Sequence, residues 1–158
     1  MMTGEQSLSP PAEPGAVKFP LAGFLQRQEL EILKGYVNWQ QIPKGGILWQ
    51  QGETDGRVAL IIQGRAKITK EMNIPGHPLV IGLFGPGSLV GDLSFSNESG
   101  SMTSARAVED MTLVILRREN FDSLAIEHPT LANHILNELL SRMAEQLRHA
   151  YERLTAIF

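Results

Sequence analysis

The chain contains no cysteine, so disulfide staples, thiolate metal sites and thiol nucleophiles are all excluded. It also lacks a basic excess: 14 Lys+Arg stand against 17 Asp+Glu, a formal net charge of -3. No overall positive field gathers nucleic acid on such a surface, so direct nucleic-acid binding by this chain is not expected. Long apolar runs are missing too, because Gly, Pro or a charged residue interrupts every hydrophobic segment before the roughly 18 residues that a membrane-spanning helix needs. No membrane partner is expected. Met1 to Gly15 carries Glu5, Glu13 and three prolines without the positive start and apolar middle of a secretory signal. Residues 1–18 therefore read as a disordered leader, and the protein as soluble and cytoplasmic.

What is present fits one domain: 158 residues, 42% of them hydrophobic, enough for a single core but not for two ordinary ones. Gln26 to Lys34 are good helix formers, with Leu30, Leu33 and Val37 on a shared face and Gly35 as a stop. From Val37 to Leu116 the texture becomes β. Short runs at Ile47–Trp49, Val58–Ile62, Ala66–Thr69, Leu79–Phe84 and Met111–Leu116 are separated by Gly, Pro and Asp. Such spacing predicts a small antiparallel barrel or jelly roll, with turns at 43–46, 52–56, 63–64 and 73–76. Trp39 and Trp49 read as barrel packing.

Beyond Leu116 the helical period returns, first around Glu119 to Glu127 and then in a long helix opened by Pro129, which suits a first turn. Leu136, Leu140, Met143, Leu147, Ala150, Leu154 and Ile157 recur at alternating steps of four and three, a coiled-coil seam of roughly three heptads. Leu131, Ile135 and Leu139 widen the face upstream, so the first turns are expected to dock on the barrel and the later ones to pair with a second copy. Glu138 with Arg142 and Glu145 with Arg148 suit a solvated flank. The expected organisation is a barrel with helical flanks over 19–128 and a dimer or hinge helix over 129–158.

This element order, together with Gly52-Glu53, Leu60 to Gly64 and the run Leu83-Phe84-Gly85-Pro86-Gly87-Ser88-Leu89-Val90-Gly91-Asp92-Leu93-Ser94, resembles the cyclic nucleotide-binding domain family. Both the catabolite activator (FNR-like sensor) branch and the kinase regulatory-subunit branch are similar, over about Phe24 to Tyr151. The resemblance implies a mainly β fold with flanking helices, a double-stranded β-helix or jelly-roll barrel followed by a long C-terminal dimerisation helix. It implies a cyclic nucleotide such as cAMP or cGMP as effector, a downstream protein partner and a role in signal transduction, in the catabolite activator branch transcription regulation. No DNA-binding domain is expected in this chain.

The family's phosphate-binding cassette works because a short helix after a glycine turn aims free amides at an anion, and small residues let the backbone approach. By resemblance Gly91, Leu93 and Ser94 take that role, and Asp92 stands where an acidic residue, usually a Glu, accepts the ribose hydroxyl. Ser101, followed by Met102, Thr103 and Ser104, occupies the place of the family's phosphate-pairing arginine. Losing one member of a buried charged pair costs about 2 to 5 kcal/mol, roughly 30-fold to 3000-fold in affinity. Arg106 stands further on, and strand alternation alone leaves its direction open. The base-contacting Thr and Ser of the catabolite activator branch are replaced by Ala150 and Tyr151, of which Tyr151 is the one able to stack on a purine.

Other chemistries lack their required residues. Gly85-Pro86-Gly87 with Gly91 lacks the βαβ setting of a dinucleotide fingerprint. A cupin-like metal enzyme needs several converging histidines, whereas His128, His134 and His149 fall in the helical tail and leave His77 alone; the same lone His77 would have to serve a haem sensor. The expectation is a non-catalytic regulatory module with no metal or certain cofactor. The alternative is a ligand-free dimerisation or protein-interaction scaffold on the same fold.

Overall fold

The computed structural model describes residues 25–91, 95 and 99–158; the leader expected at 1–18 lies outside them. Helix α1 (Arg27–Leu33) precedes eight strands, β1 (Val37–Ile42), β2 (Ile47–Trp49), β3 (Arg57–Gln63), β4 (Ala66–Lys70), β5 (Leu79–Phe84), β6 (Leu89–Gly91), β7 (Ser104–Ala107) and β8 (Met111–Arg117). Helices α2 (Arg118–Glu127) and α3 (Pro129–Thr155) follow. Two four-stranded sheets, ordered β1-β8-β3-β6 and β2-β7-β4-β5, face each other as a jelly roll, and all described pairs are antiparallel. The expected β fold with C-terminal helices is what forms.

Strand alternation explains how the first sheet is buried on both faces. Ala59 and Ile61 of β3 join Leu113 and Ile115 of β8 in the core between the sheets. Their neighbours Val58 and Leu116 point the other way, into a second core with Leu33, Phe121, Leu124, Leu131 and Ile135 of the helices. A strand covered on both sides needs apolar residues at successive positions, so Val58 to Ile61, all 5% exposed or less, read as an unbroken run. Each fully buried aliphatic side chain contributes about 1.5–3 kcal/mol. The second sheet is covered on one face: Ala105 and Ala107 are buried while Arg106 between them is exposed.

The chain turns tightly where glycine permits it. Gly64 adopts φ +83°, and a Cβ there would lie 2.3 Å from the Asp110 carbonyl oxygen, so no other residue fits without moving the β3–β4 turn. Between α2 and α3 the helix is interrupted at His128 (φ −137°, ψ 69°), and Pro129 restarts it at a position whose amide needs no partner.

Helix α3 is long enough, at 27 residues, to reach roughly 40 Å, and its two ends meet different surroundings. Leu131, Ala132 and Ile135 are buried against the roll, whereas Leu136, Leu140, Met143, Leu147 and Leu154 are 40–68% exposed; the helix, expected to run to 158, ends at Thr155, so the seam residue Ile157, 76% exposed, lies just past it. Glu29 Oε1 lies 2.8 Å from His134 Nδ1, tying α1 to the docked end. The Gln26 amide, donating to Glu29 Oε2, and then His134 hold that carboxyl below the usual carboxylate range. One expectation is corrected: Glu138 and Arg142 are not a solvated flank. They pair at 2.6 Å with both side chains only 22% exposed, because Arg142 donates at 2.7 Å to the Gly87 carbonyl of the roll.

Candidate functional site

The cassette begins where β6 delivers Gly91 beside β3. Gly91 is paired with Val58, at φ +153° with a virtual Cβ 2.9 Å from both the Arg57 carbonyl oxygen and Val58 Cα. Only glycine lets the strand lie this close. The following Asp92, Leu93 and Ser94 lie outside the described residues.

On the far side of the cassette, Ser101 is buried at 6% exposure and its backbone is fully used. Its amide donates to the Glu53 carbonyl at 2.7 Å, and its carbonyl accepts from Gly52 at 2.8 Å. Ser101, expected from the resemblance to stand in the place of the phosphate-pairing arginine, is thus a small neutral side chain clamped to the β2–β3 turn. Thr103 Oγ1 accepts from Trp49 Nε1 at 3.4 Å and Ser104 Oγ accepts from the Gln51 amide at 2.9 Å. Met102 is half exposed, with Lys70 Nζ donating to its carbonyl at 3.1 Å. Arg106 points outward and donates to the Gly45 carbonyl at 2.9 Å, so strand alternation directs it away from the interior. Tyr151 is 60% exposed on α3, beside the seam residue Ala150.

Sequence reasoning missed Arg57. Being two residues before Ala59 and four before Ile61, it shares their inward face, and its side chain is only 16% exposed. It donates to the Leu48 carbonyl at 2.6 Å and to Glu53 Oε2 at 3.2 Å. Its buried Nε lies 2.8 Å from Asp55 Oδ2 yet is not directed at it, and so makes no hydrogen bond. Arg117 Nη1 also approaches Asp55, at 3.7 Å. Two carboxylates and two guanidiniums thus close this end of the roll with no net charge. The signal was an arginine opening an apolar strand, which only the pairing with β6 turns into a cassette neighbour.

Inside the roll, Trp49 at 4% exposure fills the space between the sheets. With Gln40, Ile42, Leu48, Arg57, Ala59, Leu113 and Ile115 it leaves a cavity of about 10 Å³, the room of one water. Trp39, by contrast, is half-buried on the other face. Among the described residues no three His, Asp or Glu side chains are grouped as a metal ion requires, and His77 lies in the exposed loop after β4. No described helix is long and apolar enough to cross a membrane.

Set against known proteins, residues 39–128 match the model of the cyclic nucleotide-binding domain. The chain is 29% identical over 126 residues to the cyclic AMP receptor protein of Thermus thermophilus, covering 80% of this chain and 58% of that one. It is 32% identical over 107 residues to the lysophospholipase NTE1 of Phaeosphaeria nodorum, of which it spans 7%. The fold is that of a cyclic nucleotide-binding domain from Methylobacillus flagellatus, with TM-score 0.79, 22% identity and 85% and 75% of the two chains covered. The Thermus thermophilus catabolite activator protein is similar at TM-score 0.68 and 29% identity, over 86% of this chain and 63% of that one. The jelly roll, the glycine-framed turn into Gly91 and the family match over most of the strands agree, and the chain belongs to the cyclic nucleotide-binding domain family.

Proposed function

We propose that the chain is a non-catalytic sensor module in which an effector at the cassette, residues 91–104, biases α3, and α3 passes the change on through a second copy. One observation carries this reading. The strand that feeds the cassette is tied directly to the helix: Gln146 Nε2 donates to the Leu89 carbonyl of β6 at 2.5 Å and Arg142 Nη1 to Gly87 just before it. A shift of Gly91 toward an anion would pull on both. The effector must favour one helix position over another, since equal affinity for both would shift nothing.

The effector is a cyclic nucleotide bound weakly, or a different ligand. Ser101 supplies no charge, Arg57 is already engaged by Glu53 and Asp55, and among the described residues the cavity beside Trp49, about 10 Å³, is far below the roughly 300–1,000 Å³ of ligand pockets. Residues 19–128 form the sensing unit and 129–158 the dimer helix, with Leu136, Leu140, Met143, Leu147, Ala150, Leu154 and Ile157 as its seam. Tyr151 adjoins that seam and would stack on a purine as a lid. The lysophospholipase relatives carry a similar stretch within far longer chains, which supports a module acting with a downstream protein.

Calorimetry with cAMP, cGMP and cyclic di-GMP tests the ligand; heat absent for all three at hundreds of micromolar would favour the ligand-free scaffold, which the filled roll also supports. Ser101→Arg should create or strengthen cyclic nucleotide binding. Unchanged affinity in the folded variant would overturn the placement of Ser101. Light scattering should show a dimer, and a 17.4 kDa particle at micromolar concentration would exclude the seam.

A further inference from the structure

On the sensor reading proposed for residues 91–104, and resting on it, we infer that Arg57 supplies the positive charge that Ser101 lacks. The Glu53 carboxylate holds the anion site of Arg57 until a ligand's phosphate displaces it.

Arg57 stands between the two ends of the cassette. At one end its backbone lies against Gly91, where a Cβ would sit 2.9 Å from the Arg57 carbonyl oxygen. At the other, Ser101 is clamped to the backbone of Gly52 and Glu53, and the Glu53 side chain reaches back to Arg57 Nη2 at 3.2 Å.

Nε and Nη2 form one edge of a guanidinium, spaced to donate side by side to two oxygens of a phosphate or carboxylate. In Arg57 this edge is poorly used. Nε is buried and donates to nothing, although Asp55 Oδ2 lies 2.8 Å away. Nη2 gives its shorter bond, 2.6 Å, to the Leu48 carbonyl and its longer one to Glu53. A phosphate with two free oxygens would satisfy both nitrogens of the edge at once.

Burial makes the exchange asymmetric. The Arg57 side chain is 16% exposed, against 42% for Glu53 and 36% for Asp55. A buried guanidinium needs an anion in every state. A carboxylate near the surface regains water when released, and its ion pair contributes little. The swap takes place at the turn that clamps Ser101, and competition from the chain's own carboxylates is what keeps binding of the phosphate weak.

The test titrates cAMP and, separately, inorganic phosphate into the full ¹⁵N-labelled chain and follows the Arg57 Nε–H signal by NMR. The expected result is a saturable shift of that signal. Glu53→Gln should strengthen binding roughly two- to fivefold, and Arg57→Gln should weaken it roughly tenfold or more. Should Arg57→Gln not fold, Arg57→Lys keeps the charge but loses the two-nitrogen edge, and should weaken binding less. A response to cAMP where phosphate gives none assigns the anion to a nucleotide, an equal response assigns it to free phosphate, and both sustain the role of Arg57. Binding of either probe with affinity unchanged in folded Glu53→Gln and Arg57→Lys would overturn that role and leave the sensor reading standing. No shift in either the parent or Glu53→Gln would overturn it as well. Binding at Arg57 that leaves the Gln146 side-chain amide unmoved would keep the site and overturn its coupling to α3.

Discussion

The two halves of α3 carry the same kinds of residue and meet opposite fates. Leu131 and Ile135 are 3% and 4% exposed, whereas Leu140 and Leu147, one to four turns later, are 68% and 52% exposed. Both halves repeat apolar residues at helical spacing, so hydrophobicity alone does not separate them. What separates them is the roll: α2 and the outer face of the first sheet lie beneath the first turns, and beyond Arg142 the helix touches the roll through polar side chains on one flank. Gln146 reaches Leu89, and Arg153 reaches the Ile81 carbonyl at 3.3 Å. A stripe left open beside a polar flank that is already docked is suited to pairing between like copies.

Substitutions along the helix test that contrast. Ile135→Ala should have the largest effect, lowering unfolding free energy by about 2–5 kcal/mol through lost burial and the cavity left behind, measured by denaturant titration. Arg142→Ala should cost about 1.5–3 kcal/mol, because it removes a charged donor from Gly87 and leaves Glu138 half-buried without its cation. It should also loosen amide protection at Leu89 in hydrogen exchange; protection as in the parent would break the link between β6 and α3.

Glu29→Gln probes the tie from α1 to the docked half and should cost about 0.5–1 kcal/mol at neutral pH. Because the folded carboxyl titrates below 4.5, its stabilisation is fully present above that value and lost as pH falls through the lowered folded value. Melting curves of parent and variant should therefore converge in acid. Leu147→Gln should change the stability of the monomer by no more than about 0.5 kcal/mol yet, on the proposed pairing of two copies, shift dimer toward monomer in light scattering. A large loss of monomer stability would mean that the exposed stripe is covered by the chain's own roll.

Much of this was legible in the chain because local signals agreed. The runs at 47–49, 58–62, 66–69, 79–84 and 111–116 are apolar and bounded by turn residues, and each forms a strand. β1, β6 and β7 lie outside those runs, and Val37, expected on the face of the first helix, opens β1 instead. β6 is three residues long, and β7 is Ser-Ala-Arg-Ala, whose small side chains carry little β preference and are held by pairing with β2 and β4. In the cassette, the neutral Ser101 was readable by counting, but its clamp to Gly52 and Glu53 was not. That contact spans nearly fifty residues and exists only once two turns meet.

The sequence by itself determined the alternation of glycine turns and apolar runs, the break at His128 and Pro129, and the neutral side chain at Ser101, because these depend on torsional freedom and side-chain type at single positions. Tertiary structure decided which face of β3 carries Arg57 into the roll, that Trp49 fills the interior, that Arg106 points out, and where along α3 burial ends. Those outcomes depend on which strands pair and how far the roll extends beneath the helix. No residue's own chemistry specifies its neighbours across such separations.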